Sequence, residues 1–579
     1  MFDVLIQNAT IVDGTGASRY RADIGIADGL IAKIGDLAGA TAAEVLDAEG
    51  RIAAPGIIDP HSHYDAQIFW DATCADAGQN GITTVVSGNC GFGFAPCREQ
   101  DRERTMAMMS TTEQVPMKQM RSGLPWDWET FPEYLDSVDS LPKAVNISLY
   151  APLNPILIYV MGIEGAKTRR PTRAEIARIK RIVGECMDAG AQGLAFVRLG
   201  ELDSHTDFDG SLMPTDVLLP EDAAEIASLF AERSSGVVMC LTQVGQMGDR
   251  EISENVARRI GDRPLIHNVI IASESNPELH RETLAWLEDV RSRGIDMWGQ
   301  AIVSRSWQEC DLWHLSGTTL DFMPVAREFI TEAQSFDEKM AKAADPNYRA
   351  RFRDQYDPRV AEAFGATLGQ SILVNLGEKA DPQGLIGKTF DEIAQMRQCD
   401  FIDAFFDLAI ESELGMTFKD PQGPATDPAI TAELIQSEHV LGGVSDGGAH
   451  MKITSGATWA IDLLIWLARD EKLVSLEDLH HRLSAIPAKV FGFEQRGYIR
   501  EGYFADILVY DLDELYFDRS SYDVATDMAG GDWRRKARSG GYRWILVNGE
   551  VTFESDVRRE SVPGRLLRGT RQRVLATAS

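Results

Sequence analysis

Two histidines one residue apart, His61 and His63, close the apolar stretch "PGIIDPHSHYDAQ" at residues 55–67. Side chains of an extended chain alternate with period two, so residues i and i+2 share a face and both imidazoles point the same way. Two imidazoles on one face can share a metal ion. Further along, the chain offers more donors: Cys90 in "SGNCGFGFAPC", His267 in "PLIHNVI", and Asp446 with His450 in "GGVSDGGAH". A thiolate, imidazoles and a carboxylate together suit Zn²⁺ better than the harder Mg²⁺ or Ca²⁺. Taken singly, each has a plainer reading. A free cysteine is usually a small buried hydrophobe, His267 fits a hydrogen-bonded core residue, and Asp before Gly suits a helix cap or turn. Where these residues fall relative to the strands is what favours the metal.

Eight short apolar segments punctuate the middle of the chain: "GIIDPHSH", "ITTVVSGNC", "AVNISLYAP", "GLAFVRLG", "GVVMCLTQVG", "PLIHNVIIA", "IDMWGQAIVS" and "VLGGVSDGG". Helical patterns such as "TRAEIARIKRIVGECMDAGA" and "PELHRETLAWLEDVRSRG" lie between several of them, the alternation expected of a parallel β/α architecture. Eight is the strand number of a (β/α)8 TIM barrel, in which chemistry sits at the C-terminal strand ends. Strand one then ends in His61 and His63 and strand two in Cys90. Strand six carries His267, and strand eight ends in Asp446, followed by His450. The donors gather at one end.

The barrel is expected over residues 55–490. Roughly 130 residues separate strand seven near Val303 from strand eight near Val440, far more than an ordinary connection. The segment of about 305–438 holds helical patterns of its own, such as "DEIAQMRQCDFIDAFFDLAIESEL", and reads as an inserted lid or oligomerisation element. Residues 1–54 ("FDVLIQNATIVDGTG", "ADIGIADGLIAKIGD") and 491–579 ("FADILVYDLD", "YRWILVNGEVTFES") are β-rich and punctuated by Gly and Asp. Together they predict a small β-sandwich domain assembled from the N- and C-terminal segments. The tail "GRLLRGTRQRV" is locally basic and reads as a solvated terminus or an oligomer contact.

Composition limits the function classes. A chain of 579 residues with 44% hydrophobic and 25% charged residues has the make-up of an ordinary globular protein, long enough for more than one domain. Its net charge of −31 opposes nucleic acid and anionic membranes. The start, "MFDVLIQNATIVDG", lacks a basic n-region and an apolar h-region, and no apolar run reaches the roughly 18–20 residues of a membrane span. A cytoplasmic location and a small-molecule substrate are expected, and a homo-oligomer is compatible with the sequence. Seven cysteines at 74, 90, 97, 186, 240, 310 and 399, without C-x-x-C pairs, argue against a disulfide framework or a zinc knuckle.

The stretches "APGIIDPHSHYDAQ", "GITTVVSGNCGFGFAP", "GGVSDGGAH", "AKVFGFEQRGYIREGYFADILVYD" and "VNGEVTFESDVRRESVPGRLLR", in that order, resemble the amidohydrolase superfamily, specifically its N-acyl-D-amino-acid deacylase (D-aminoacylase-like) branch. The resemblance implies a (β/α)8 barrel with a small β domain from both ends. It also implies His61, His63 and Cys90 as metal ligands and Asp446 as both ligand and proton carrier. Three departures stand out. Gln243 occupies strand five where the family has a histidine, His267 matches the strand-six histidine only in an uncertain register, and Ala151-Pro152 replaces a Gly-His pair on strand three. One Zn²⁺ per chain is therefore expected.

The expected reaction is hydrolysis of an amide C–N bond, in an N-acyl-D-amino acid or related N-acyl compound, by metal-activated water with Asp446 carrying the proton. A substrate carboxylate calls for a bidentate arginine, Arg198 or Arg305, near strand ends four and seven. His450 and His205 are candidates to stabilise an oxyanion. The alternatives are a hydrolase of a cyclic amide, urea or lactone, a non-catalytic binding protein on a decayed barrel, and thiol chemistry at Cys90, for which no base is identifiable.

Overall fold

The structure, a computed structural model, describes residues 1–199, 205–242, 247–272, 278–305, 307–315, 323–357, 367–420 and 425–569. All eight expected central segments form strands. Those of Ile57–Ser62, Ile82–Ser87 and Val237–Thr242 are buried at every residue. Continuous apolar runs of this kind mark parallel strands covered on both faces. Every pairing among them is parallel. Ile57–Ser62, Ile82–Ser87 and Asn146–Leu149 form one sheet, and Ala151–Pro152, Gly193–Arg198, Val237–Thr242, Leu265–Ile270, Met297–Ala301 and Val440–Gly442 form another. The third expected strand serves both sheets, broken only at Tyr150. Beyond the last strand, Gly447 bridges to Ser62 in parallel, and His63 N donates to Gly447 O (2.7 Å).

Local signals explain the crossover helices. Arg173–Ala189 begins in a capping box, with Thr172 Oγ1 accepting from Glu175 N (3.2 Å) and Glu175 Oε2 accepting from Thr172 N (2.7 Å). It stops at Gly190, whose φ of 111° suits glycine. Its Ile179, Val183, Cys186 and Met187 recur at helical spacing and are buried.

Hydrogen bonds join the chain ends in one sheet of nine strands, in which Ile52–Pro55 pairs antiparallel with Ile507–Tyr510. Val4, Ile6 and Ile24 from one end and Ile507, Trp544 and Leu546 from the other share its core. The small β domain expected from the two chain ends is thus hydrogen-bonded as one continuous sheet.

The insertion has a core separate from that of the parallel strands, built around Phe329, Tyr348, Phe352, Phe405, Phe406 and Phe418. A small antiparallel sheet of Glu309–Asp311, Thr417–Lys419 and Ile372–Asn375 closes it. The apolar pattern near residue 400 is two helices, Phe390–Arg397 and Phe401–Glu411. Gln398 at φ 54° ends the first, and Asp400 caps the second by accepting from Ile402 N (2.9 Å).

One element was not foreseen. A long hairpin, Tyr516–Met528 with Asp532–Gly540, reaches from the terminal segment to the insertion and to the loop after the last parallel strand. Tyr522 donates to Trp307 O (2.8 Å) and stacks on its ring, Arg535 pairs with Glu309 (2.7 Å), and Asp532 accepts from Lys452 (2.7 Å). Among the described residues no helix is long and apolar enough to cross a membrane.

Candidate metal centre

His61 and His63 leave the end of the first parallel strand on one face, as period two requires, and both are buried. Cys90 follows the second strand on a single tight turn and has a left-handed φ of 59°. Gly91 makes that turn possible, because a Cβ there would lie 2.4 Å from Ala195 O. The donor atoms of His61, His63 and Cys90 all lie within 4.8 Å of one another. Asp446 comes from beyond the last strand, also with a left-handed φ, 47°. Its loop packs on the backbone of His63 so closely that a Cβ at Gly448 would stand 2.6 Å from His63 O. Left-handed non-glycine residues at two donors are local strain held in place by the surrounding fold, which is common at functional sites.

Distances test whether these side chains fit a cation. Two N or O donors held tetrahedrally at zinc bond lengths stand about 3.3 Å apart, and an N and S pair about 3.6 Å. Asp446 Oδ1 is 3.2 Å from His61 Nε2 and 3.5 Å from His63 Nε2, and Cys90 Sγ is 3.7 Å from His61 Nε2. His63 Nε2 is buried and makes no hydrogen bond. On its far side the His61 ring is held through Nδ1, 3.0 Å from Gln300 Oε1 and 2.7 Å from Asn268 Nδ2, which leaves Nε2 facing the centre. The donor set fits a borderline-soft divalent cation.

Electrostatics agree. Burial by itself lowers His61, but the Asp446 carboxylate and the Cys90 thiol outweigh it and bring the imidazole up to about 10. Against the same penalty, Glu113 and Asp446 raise His63 well above its usual value. Burial would raise Asp446, yet the two histidines hold it well below the usual carboxylate range. The site demands positive charge, from protons or from a cation.

Several expected residues lie elsewhere. His267 faces away from the centre: Nδ1 is 2.9 Å from Ser253 Oγ, and the ring packs edge-on against Trp286 in the helical layer. The next residue on the strand, Asn268, takes the inward face because adjacent side chains alternate. Arg305 forms a two-point ion pair with buried Asp462 (2.9 and 2.5 Å) and lies 4.1 Å from the Trp466 ring centre, so its guanidinium is committed to the fold. Arg198 ends the fourth strand, and its Nε donates to Leu218 O (3.0 Å). His450 lies beside the centre, with Nδ1 3.1 Å from Gln114 Oε1 and Nε2 3.7 Å from Glu113 Oε2; burial pushes it down to about 4. Burial also lowers His205, in the field of Glu113, His450 and Asp446. Gln243 falls outside the described residues.

Three neighbours of the centre escaped the sequence reading. Asn268 and Gln300 were findable from strand alternation once the register was known. Glu113, in "TTEQVP", sits in a loop with no periodicity, and no local signal marks it.

A model of the amidohydrolase family matches residues 44–553. The chain is 23% identical to a D-aminoacylase of Alcaligenes xylosoxydans xylosoxydans over 581 residues, 98% of each chain. It is similar to a solved D-aminoacylase whose binuclear metal center is described in terms of one-metal activation and second-metal attenuation. That match has a TM-score of 0.65 at 20% identity and covers 98% of this chain and 100% of the other. It also resembles N-acyl-D-glutamate deacylase from Bordetella bronchiseptica, complexed with zinc and a phosphonate inhibitor. Here the TM-score is 0.64 at 22% identity, covering 98% and 99%.

Proposed function

Since the chain belongs to the amidohydrolase family, we propose that it is a metal-dependent hydrolase of an amide C–N bond, acting on an N-acyl-D-amino acid or a related N-acyl compound. The observation that carries this reading is the convergence of His61, His63, Cys90 and Asp446 at donor-to-donor spacings suited to one cation. The scaffold is a (β/α)8 barrel carrying an additional β domain. Support for closure comes from the Ser62 to Gly447 bridge between first and last strand ends, and from the third strand's place in both parallel sheets. Zinc is the proposed metal because the donor set mixes a thiolate with imidazoles.

A divalent cation at this position supplies a Lewis acid that polarises the scissile carbonyl and lowers the pKa of water towards about 7. His61, His63 and Cys90 hold their donor atoms toward it. Asp446 is ionised at neutral pH and accepts the proton of the attacking water at Oδ1 or Oδ2, then passes it to the leaving nitrogen. His205, kept neutral by burial, is the proposed hydrogen-bond donor to the developing oxyanion, and neutral His450, whose Nδ1–H donates to Gln114 Oε1, lines the site beside it. With Arg305 committed to Asp462, Arg198 is the proposed partner of a substrate carboxylate. The products are a carboxylate and an amine.

The test is metal analysis of the purified protein beside Cys90→Ser, followed by a panel of N-acyl-D-amino acids, their L forms and cyclic amides. Bound metal that falls away in Cys90→Ser, together with hydrolysis of the N-acyl-D compounds, is the expected result. A cysteine nucleophile would instead leave metal content unchanged in that variant. Hydrolysis of cyclic amides alone would move the assignment to that class, and failure to bind metal even on reconstitution would remove the mechanism.

A further inference from the structure

The loop that carries Asp446 and His450, "SDGGAHMKIT", runs over residues 445–454. Its first half is tied to the metal-ligand strand and to Glu113: Ser445 Oγ donates to His61 O (2.9 Å), His63 N to Gly447 O (2.7 Å), and His450 N to Glu113 O (2.9 Å). Its second half is held by segments remote from the parallel strands. Three successive carbonyls accept hydrogen bonds there: Met451 O from Arg535 N (2.8 Å), Lys452 O from Arg535 Nε (2.9 Å) and Ile453 O from Glu309 N (2.8 Å). Arg535 belongs to the long hairpin and Glu309 to the insertion. Arg535 Nη1 also donates to Glu309 Oε1 (2.7 Å), so hairpin, insertion and loop are joined at one point.

All five residues of this junction are buried. A buried carbonyl left without a partner is costly, so these bonds set the course of the chain after His450. Asp446 and His450 both have left-handed φ, 47° and 53°, which non-glycine residues keep only where the surroundings impose it. Gly447 and Gly448 between them add no stiffness. Further contacts hold the same stretch. Lys452 Nζ donates to Asp532 Oδ1 (2.7 Å), Thr454 Oγ1 is 3.2 Å from the Tyr522 hydroxyl, and the Ile453 side chain lies in the core of the insertion. The adjacent hairpin residue, Arg534, faces the other way, as alternation along a strand requires: its Nε donates to Asp527 Oδ1 (2.7 Å), and it pairs with Asp76.

We propose that Arg535, braced by Glu309, is a positioning residue for Asp446: by holding the loop at Met451 and Lys452 it keeps the carboxylate where proton transfer needs it. The inference rests on the role given to Asp446 in the proposed function. Among the described residues, the hydrogen bonds of the guanidinium go to Lys452 O and Glu309, so its effect on Asp446 passes through the backbone of residues 446–452. Displacing a reacting group by about 1 Å can cost about 100-fold in rate even when the change lies far from the chemistry. The hairpin from the chain terminus and the insertion thus belong to the frame of the site.

The experiment compares full-length wild type with three variants. Arg535→Met with Glu309→Leu removes the pair without stranding a buried charge. Arg535→Lys keeps one donor for the two acceptors, and Arg534→Met loses a buried pair that faces away from the loop. Hydrogen exchange of residues 446–456 is read by mass spectrometry, and kcat and KM for an N-acyl-D-amino acid are measured per folded molecule. In the double variant exchange of the loop should quicken and kcat should fall about 10- to 100-fold with KM little changed. Arg535→Lys should show a smaller change of the same kind, and it carries the test alone if the double variant does not fold. Arg534→Met should lower the unfolding temperature and leave loop exchange and kcat as in wild type. Wild-type kcat in the Arg535 variants, or an equal fall in Arg534→Met, would overturn the proposal. Should wild type hydrolyse no N-acyl compound, the proposed function fails instead. Chelator competition then reads the placement of Asp446, and metal affinity in the Arg535 variants equal to that of wild type would overturn the positioning role.

Discussion

Gln300 Oε1 lies 3.0 Å from Nδ1 of His61, on the side of the ring turned away from the centre. The amide also donates through Nε2 to Gly443 O (3.2 Å), so it links the ligand on the first strand to the backbone after the last one. A ligand imidazole held at its far nitrogen keeps one ring orientation and one tautomer. Gln300→Leu removes that hold without touching any donor atom. Metal affinity should fall about 10- to 100-fold while the stoichiometry stays the same, as read by competition with a chelator. Unchanged affinity would mean that Asn268, whose Nδ2 is 2.7 Å from the same nitrogen, and packing suffice to orient His61.

Arg305 and Asp462 form a buried two-point pair, so Arg305→Ala leaves a carboxylate out of water without its main partner. Removing one member of such a pair costs about 3–5 kcal/mol. The double variant Arg305→Met with Asp462→Leu should recover most of this, since apolar groups of similar volume often replace a buried pair at little cost. Denaturant unfolding measures both. KM for a carboxylate-bearing substrate should be unchanged in the double variant; a large rise would restore Arg305 as the clamp.

His480 is buried, with Nε2 2.7 Å from the Tyr510 hydroxyl, and burial pushes its pKa from 6.5 down to about 4. Between these values the unfolded chain binds a proton that the folded protein refuses. Stability is therefore complete above about pH 6.5, falls as pH drops towards 4, and levels off below it. The slope from this residue is at most about 1.4 kcal/mol per pH unit. His480→Gln should flatten the dependence by that amount, measured by unfolding at pH 4.5, 5.5 and 7. His267, lowered to about 4 by burial and the nearby Arg250, contributes in the same window and keeps some slope in the variant. A slope in His480→Gln equal to that of wild type would exclude the assignment.

Much of this architecture is encoded locally. Period two puts His61 and His63 on one face, continuous apolar runs mark the parallel strands, and Thr172, Glu175 and Gly190 delimit a helix; each needs only neighbours within a few residues. The β-rich character of both chain ends is equally local. Which donors converge is not. His267 and Asn268 are adjacent, and one residue of strand register decides that the asparagine faces His61 while the histidine meets Ser253. Arg305 finds its partner 157 positions away, on a helix that no pattern associates with it. Glu113 arrives from a loop, and the long hairpin at Tyr516–Gly540 spans to the insertion. The sequence by itself determined the strands and that His61, His63, Cys90 and Asp446 stand at or just beyond strand ends, because hydrophobic periodicity and turn chemistry act over short range. Only the tertiary structure decided the register, the partners of buried charges and the loop residues at the centre, because those depend on packing between segments far apart in the chain.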